Sequence, residues 1–368
     1  MTSHSNQFPA TKRVAILWTL LSGYLNACLK ALAETDGVEI FVSNIRVSAD
    51  APYDESLFSW IKERYEWGAD LDEYELLNRL EQFRPDVIVS CGWNVPGHRY
   101  ILKKYRHQAV RIITVDNPWR GTIKQKVGVM VSRFYLKPIC DALFVAGERQ
   151  ADFAHKLGFP QRRILRGVLS CDHQKFSPIH FKRQDLLDES RAFVYVGRLA
   201  PEKGLDVLVE AYRRYRQSVS EPWPLMCYGT GPLKPVLENV EGIELMGFCQ
   251  PDDLPGELLG ASCLVLPSTF EPWALVLHEA AAAGLALICS AEVGASVHLV
   301  QNGYNGYIVE TGDVAELAWA MTHYAALGED QRKVMSHNSY LMSLQFTPER
   351  WVSNLLDGAS RLIKETDN

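Results

Sequence analysis

The chain has no Cys-x-x-Cys pair, and its eight cysteines are scattered without paired spacing to its histidines. That pattern excludes a zinc finger or ribbon and points to reduced thiols, hence a cytoplasmic protein, rather than a disulfide scaffold. Uninterrupted apolar runs of the roughly 18–20 residues that cross a bilayer are also missing, so the expectation is a soluble or peripheral protein. There is no basic excess: 38 Lys and Arg stand against 44 Asp and Glu, a formal net charge of −6. A binder of phosphate backbones would show the opposite balance, which argues against nucleic acid as a partner. No short-period repeat, low-complexity tract or Asp-x-Asp pair in a supporting context occurs. No metal or prosthetic group is therefore assigned.

What is present suits two α/β domains. At 368 residues and 47% hydrophobic, the chain exceeds one typical core and can bury two. Strand patterns at Arg13–Leu20, Val38–Val42, Asp86–Cys91, Arg111–Val115 and Ala142–Ala146 alternate with helical ones at Leu25–Glu34 and around Leu71–Phe83. Such alternation implies a parallel sheet with helices on both faces. The second half repeats the rhythm from Ala192–Val196 onward, after a polar stretch, Ser170–Ser190, that reads as a boundary. Lys12-Arg13 followed by Val14–Leu21 imitates a signal peptide, but the amphipathic helix Leu25–Ala33 continues through any cleavage point.

Chemistry concentrates in the second half. Thr269 to Leu277 reads Thr-Phe-Glu-Pro-Trp-Ala-Leu-Val-Leu, followed by His278 and Glu279. Pro272 suits a first helical turn and Ala274–Ala283 is rich in helix formers, so a helix is expected to begin between Glu271 and Glu279. Its N-terminal N–H groups can receive a phosphate while the two carboxylates accept hydroxyl hydrogen bonds on either side. Eight residues at about 1.5 Å each span up to roughly 12 Å, comparable with a nucleotide-sugar. Two such acids are equally at home as a surface acid before proline and one on an ordinary helix.

Upstream, Val194–Leu205 runs Val-Tyr-Val-Gly-Arg-Leu-Ala-Pro-Glu-Lys-Gly-Leu: a strand ending at Gly197, with Arg198 and Lys203 beyond it. A planar fork and a point charge at a strand end suit a diphosphate, and equally describe a solvated basic loop before the helix Leu205–Arg216. Gly229-Thr230-Gly231-Pro232-Leu233 follows the strand Leu225–Tyr228, and Gly247-Phe248 closes another element.

This ordered set, Gly-Arg-Leu-x-x-Glu-Lys-Gly, Gly-x-Gly-Pro-Leu, Gly-Phe and Phe-Glu-Pro-Trp-x-Leu with its second Glu, resembles the retaining GT-B glycosyltransferases of the family 4 type, glycosyl transferases group 1. The resemblance covers most of the C-terminal half. It implies an α/β fold of two Rossmann-like parallel-sheet domains facing each other across a cleft. The domains expected are an acceptor-side domain over 1–175, a donor domain over 176–345, and a C-terminal helix over 346–368, opening at Pro348-Glu349-Arg350-Trp351, that crosses back to the first domain. Carried over by position, Arg198 and Lys203 bind the donor diphosphate and stabilise it as it leaves, Glu271 holds sugar hydroxyls, and Glu279 holds the ribose. Backbone near Ala274, Leu275 and Val276 meets sugar or phosphate, Gly229 and Gly231 turn beside the donor, and Phe248 borders the base. From the first half, Gly23 can bring backbone toward the phosphates. Asp116, in Asp116-Asn117-Pro118-Trp119-Arg120, falls near a donor-contacting His of many relatives, or forms an Asx turn.

The implied activity is retaining, metal-independent transfer of a hexosyl group from a UDP-, GDP- or ADP-linked sugar to a sugar, lipid-linked or small-molecule hydroxyl. That is the chemistry of polysaccharide or glycoconjugate biosynthesis. A non-catalytic nucleotide-sugar-binding subunit and a nucleotide-sugar epimerase are the alternatives. Two positions depart from the pattern: Ala274 replaces a common Gly, and His298 stands where relatives carry an acid, reading as a surface helix residue. In the first half, Cys91-Gly92-Trp93-Asn94 and His98 can line the acceptor side, with His98 a candidate base, and Trp93 and Trp119 can stack on a sugar or fill the core. The segment Arg120–Lys137 carries Arg120, Lys124, Lys126, Arg133 and Lys137 among apolar residues, so it can touch the inner membrane face or be solvated on one side.

Overall fold

The computed structural model describes residues 12–45, 55–68, 70–183 and 191–366. The chain divides into two compact units, Met1–Leu169 with Pro348–Asn368, and Ser170–Thr347.

In the first unit the chain runs β1 (Lys12–Leu17), α1 (Gly23–Ala33), β2 (Val38–Ile45), β3 (Glu63–Trp67), α2 (Glu73–Phe83), β4 (Val87–Ser90), α3 (Pro96–Lys104), β5 (Val110–Val115), α4 (Ile123–Tyr135), β6 (Ala142–Val145), α5 (Glu148–Lys156) and β7 (Ile164–Arg166). Seven strands pair in the order β3-β2-β1-β4-β5-β6-β7, all parallel. Ile88, Ile113, Leu143 and their neighbours on one face meet Leu76, Leu80, Ile101 and Leu102 from α2 and α3 in one buried cluster. Local chemistry sets the ends: Asp72 caps α2 by accepting from Tyr74 and Glu75 N–H groups, and Arg84 closes it in a left-handed conformation. Buried Arg111 grips the Asp141 carboxylate through two nitrogens, at 3.0 and 2.8 Å, and donates to the Leu102 and Pro138 carbonyls, fixing β5 against the entry to β6.

The second unit runs α6 (His173–Arg183), β8 (Phe193–Val196), α7 (Leu205–Ser218), β9 (Leu225–Tyr228), α8 (Lys234–Leu237), β10 (Ile243–Gly247), α9 (Leu254–Glu257), β11 (Cys263–Leu266), α10 (Leu275–Ala282), β12 (Ala286–Ser290), α11 (Ser296–Leu299), β13 (Gly306–Val309), α12 (Val314–Ala325) and α13 (Glu329–Ser343). Its six strands are also parallel, ordered β10-β9-β8-β11-β12-β13. The last helix, α14 (Pro348–Thr366), returns to the first unit, where the Trp351 indole donates to the Val168 carbonyl at 3.0 Å.

The expected alternation is present with four differences. Strand β3, Glu-Arg-Tyr-Glu-Trp, lies at a sheet edge, where one neighbour suffices and charged residues are tolerated, so it carries no apolar signal. Part of the polar stretch expected as a boundary is the helix α6, which holds Pro178 inside it; residues 184–190 of that stretch lie outside the described residues. The first strand stops at Leu17 rather than Leu20. Pro272 precedes α10 by three positions instead of opening it, and Ala274 is not helical.

Arg183, at the end of α6, is entirely buried and donates to the carbonyls of Ala261, Ala283 and Gly284. Burial lowers its pKa to about 10, which leaves it charged at neutral pH. It thereby pins the loop before β11 to the end of α10. Replacing it by Met strands three carbonyls, and charge-assisted hydrogen bonds are worth about 1.5–3 kcal/mol each. Arg183→Met should therefore lower stability by about 3 kcal/mol or more in denaturant unfolding, and a loss within error would refute this role.

Candidate functional site

In each sheet the strand order reverses at one point, between β1 and β4 in the first unit and between β8 and β11 in the second. Loops leaving the carboxyl ends of such strand pairs diverge and leave a crevice where ligands of open α/β sheets bind. In the second unit those loops are the ones that hold the charged motifs.

The loop after β8 is stitched to the loop after β11 by backbone. Gly204 adopts φ +65°, and a Cβ there would come within 2.2 Å of the Pro267 carbonyl oxygen. The Glu202 carbonyl accepts from the Thr269 N–H at 2.8 Å and its hydroxyl at 3.2 Å. This seam delivers the Lys203 ammonium to the Glu271 carboxylate, and the two form an ion pair that is mostly shielded from solvent. Arg198, earlier on the same loop, projects outward with its side chain 77% exposed and pairs with Glu202 at 2.6 Å. The loop's course is fixed by the Tyr195 hydroxyl, which donates to the Arg198 carbonyl at 2.8 Å.

Gly229 and Gly231 lie against this loop. A Cβ on Gly229 would sit 1.9 Å from the Gly197 carbonyl oxygen, and one on Gly231 would sit 2.4 Å from that of Leu199. Their lack of a side chain is therefore required by the approach of two backbones. Gly229 N–H donates to the Gly247 carbonyl at 2.7 Å, so the end of β10, with exposed Phe248 after it, joins the same edge.

Glu271 is held from its other side by Gly294, whose N–H donates to the Glu271 carbonyl at 2.8 Å. Trp273 is buried between His298 and Phe346, with ring centroids 5.7 and 5.1 Å away. Ala274 then takes φ +77°, ψ +83°, the left-handed region that alanine enters at a cost, and α10 starts at Leu275. The N–H groups of Leu275 and Val276 have no acceptor within the helix, and the positive end of its dipole lies there.

One turn on, His278 is buried and held at both nitrogens: Nδ1 accepts from the Cys171 N–H at 3.2 Å and Nε2–H donates to the Ser343 carbonyl at 3.1 Å. Burial lowers its pKa to about 3, so it is neutral and structural. Glu279 is half-buried, and burial first, then the nearby charge of Asp172, raise its pKa to about 7. Asp172 is a neighbour that sequence reasoning missed, because its segment read only as a boundary.

Gly23 and Asp116 belong to the first unit. Gly23 opens α1 just beyond β1, at that sheet's reversal point, with open space where a Cβ would be. Asp116 is exposed after β5; its carboxylate accepts from the Asn117 amide at 2.7 Å and its carbonyl from Gln150 at 2.9 Å. His98 does not fit a base: it is fully buried in α3, edge-on to Trp67, with its pKa lowered by burial to about 4. Trp93 and Trp119 pack against the first core, and Trp119 also meets Phe153 and the Lys156 ammonium. His298 is no plain surface residue either, since it packs on Trp273 and Phe346.

Residues 177–342 match the family model described as glycosyl transferases group 1. The chain is 34% identical over 257 residues to glycogen synthase of Mycobacterium tuberculosis, covering 65% of this chain and 60% of that one. To alpha-D-kanosaminyltransferase of Streptomyces kanamyceticus it is 23% identical over 212 residues, 54% of each. It spans 38%, 54% and 22% of the lengths of the curated relatives it matches first. A glycosyltransferase structure from Rickettsia africae superposes with a TM-score of 0.77 at 14% identity, over 96% of this chain and 99% of that one. Anabaena Alr3699/HepE, solved with UDP and glucose, gives 0.69 at 16%, over 94% and 99%. The fold is GT-B, with two Rossmann-like parallel-sheet units.

Two outcomes follow from this geometry. Glycine relieves the left-handed strain that Ala274 carries, about 1–2 kcal/mol by itself and partly offset by glycine's greater freedom when unfolded. Ala274→Gly should raise stability by about 1 kcal/mol in denaturant unfolding, and a clear loss would contradict the strained backbone. For Glu279 the folded pKa lies above the unfolded one, so the folded state holds the extra proton. Its stabilising contribution is complete below the unfolded pKa near 4.5 and fades as pH rises through about 7. Glu279→Gln, which never ionises, should match the parent's Tm at about pH 5 and exceed it at about pH 8. Equal Tm differences at both pH values would rule out the raised pKa.

Proposed function

We propose that the chain is a retaining glycosyltransferase that moves a hexosyl group from a nucleoside-diphosphate sugar to a hydroxyl acceptor without a metal ion. The observation that carries this reading is the Lys203–Glu271 ion pair at the β8/β11 reversal point, just before the N-terminus of α10, with Arg198 on the same loop as Lys203. The match of residues 177–342 to glycosyl transferases group 1 supports it, as does the fold shared with a protein solved with UDP and glucose.

On this reading the diphosphate lies across the first-turn N–H groups of Leu275 and Val276, with Arg198 and Lys203 neutralising the charge that builds up on it as the sugar bond breaks. Arg198 is free to swing inward because its present partner, Glu202, lies on its own loop and at the surface. Glu271 accepts from sugar hydroxyls, and Glu279 accepts from the ribose when ionised. The acceptor hydroxyl attacks from the face the leaving group vacates, and a phosphate oxygen takes its proton. Gly23 and Asp116 are the first unit's candidates for contact with donor and acceptor.

The test is to incubate the chain with a panel of UDP-, GDP- and ADP-linked sugars, with and without candidate acceptors, and to measure nucleoside diphosphate release. Acceptor-dependent release should appear, and Arg198→Ala should lower kcat/KM by about 10²–10³ with Tm unchanged, because its side chain is exposed. Glu271→Ala should lower it comparably. Binding without turnover would make the chain a nucleotide-sugar-binding subunit, and an isomerised donor would make it an epimerase.

A further inference from the structure

Helix α4 turns its apolar side outward. Ser132 is its one buried residue. Its hydroxyl donates to the Leu157 carbonyl at 2.9 Å, and Val129, one turn earlier, packs against the first core. On the opposite side Ile123, Met130 and Phe134 are 81%, 72% and 81% exposed, and Val127 and Val131 are exposed with them. At about 100° per residue, Ile123, Val127, Met130 and Phe134 fall within roughly 60° of arc, facing away from Ser132. An amphipathic helix of a globular domain presents its apolar stripe to the core; here the stripe faces away from it.

Charge frames this stripe. Lys124 borders it on one side and Lys126 and Arg133 on the other, all exposed. Arg120 and Lys137 lie just beyond the helix ends. Between Asp116 and Asp141 the chain has these five cations and no acid, although its net charge is −6. A second copy of the chain is a poor occupant, because a two-fold contact through this face would set the same cations against each other. An interface of acyl chains topped by anionic headgroups matches both features together: the stripe enters the hydrocarbon boundary and the bordering cations reach lipid phosphates.

We propose that α4 docks the chain on an anionic lipid bilayer, lying in the interface plane with Ile123, Val127, Met130 and Phe134 inserted and Lys124, Lys126 and Arg133 on headgroup phosphates. The inference rests on the first unit alone and is independent of the donor-site reading.

The experiment is vesicle flotation of the full chain, with phosphatidylcholine vesicles and with vesicles of equal parts phosphatidylcholine and phosphatidylglycerol, at low and high salt. Binding should require phosphatidylglycerol and fall with salt. The double variant Met130→Glu/Phe134→Glu should bind at least about tenfold more weakly, with an unchanged Tm because both side chains are exposed. Lys124→Glu/Lys126→Glu should weaken binding comparably and flatten its salt dependence. No flotation of the parent at low salt would overturn the proposal, as would flotation that Met130→Glu/Phe134→Glu leaves intact. A parent that sediments as a dimer, is split by Met130→Glu/Phe134→Glu and ignores vesicles would assign the face to a second copy instead.

Discussion

The seam between the loops after β8 and β11 is the constraint on which the candidate site depends. It consists of backbone: the Gly204 approach to the Pro267 carbonyl and the Glu202 carbonyl shared by both donors of Thr269. Parallel strands that neighbour each other at a reversal of order send their loops to opposite faces, so nothing in the sheet itself draws these loops together. The seam does so, and the distance between Lys203 and Glu271 follows from it. A glycine is needed because two chains pass closer than a methyl group allows. The same reasoning applies to Gly229 and Gly231, whose contacts are with Gly197 and Leu199. Glycines that read as a ligand cradle thus have a packing reason first, which is to let three loop backbones share one edge of the sheet.

The Lys203–Glu271 pair carries the second consequence. Both groups are mostly removed from water, and either alone would lose solvation without a partner. Together they hold each other in place, so two long side chains are ordered before any ligand arrives. On the proposed reading that ordering lowers the entropy cost of binding a donor. Arg198 differs, since its side chain is exposed and pairs within its own loop; on the same reading the donor would order it. The site thus joins a shielded charge pair to an exposed cation.

Periodicity and motif order made the two sheets, the helix α10 and the nearness of Lys203 to Glu271 legible from the residues. What escaped did so for identifiable reasons. Strand β3 sits at an edge and has no need of an apolar face. Helix α6 contains a proline and many polar residues, and its apolar signal is reduced to buried Phe176 and Ile179, with Arg183 reaching the distant carbonyls of Ala261, Ala283 and Gly284. Ala274 belongs by propensity in a helix, yet the turn demanded by Trp273, buried between His298 and Phe346, puts it in the left-handed region. The burial of His98 and the Asp172 neighbour of Glu279 are tertiary facts with no local signature.

Exposed apolar surface separates the two ways such residues enter this molecule. Phe248 and Trp319 are single exposed aromatics of the kind any protein surface carries, and Trp319 stacks on His323 with ring centroids 4.9 Å apart. Helix α4 concentrates such residues in one stripe and surrounds them with charge of a single sign. A stripe of this size left in water favours self-association, and its cations oppose that by repulsion between copies. The same cations attract a surface of opposite sign. One arrangement therefore disfavours the wrong contact and favours the right one, and this coupling distinguishes the stripe from a patch left exposed by chance.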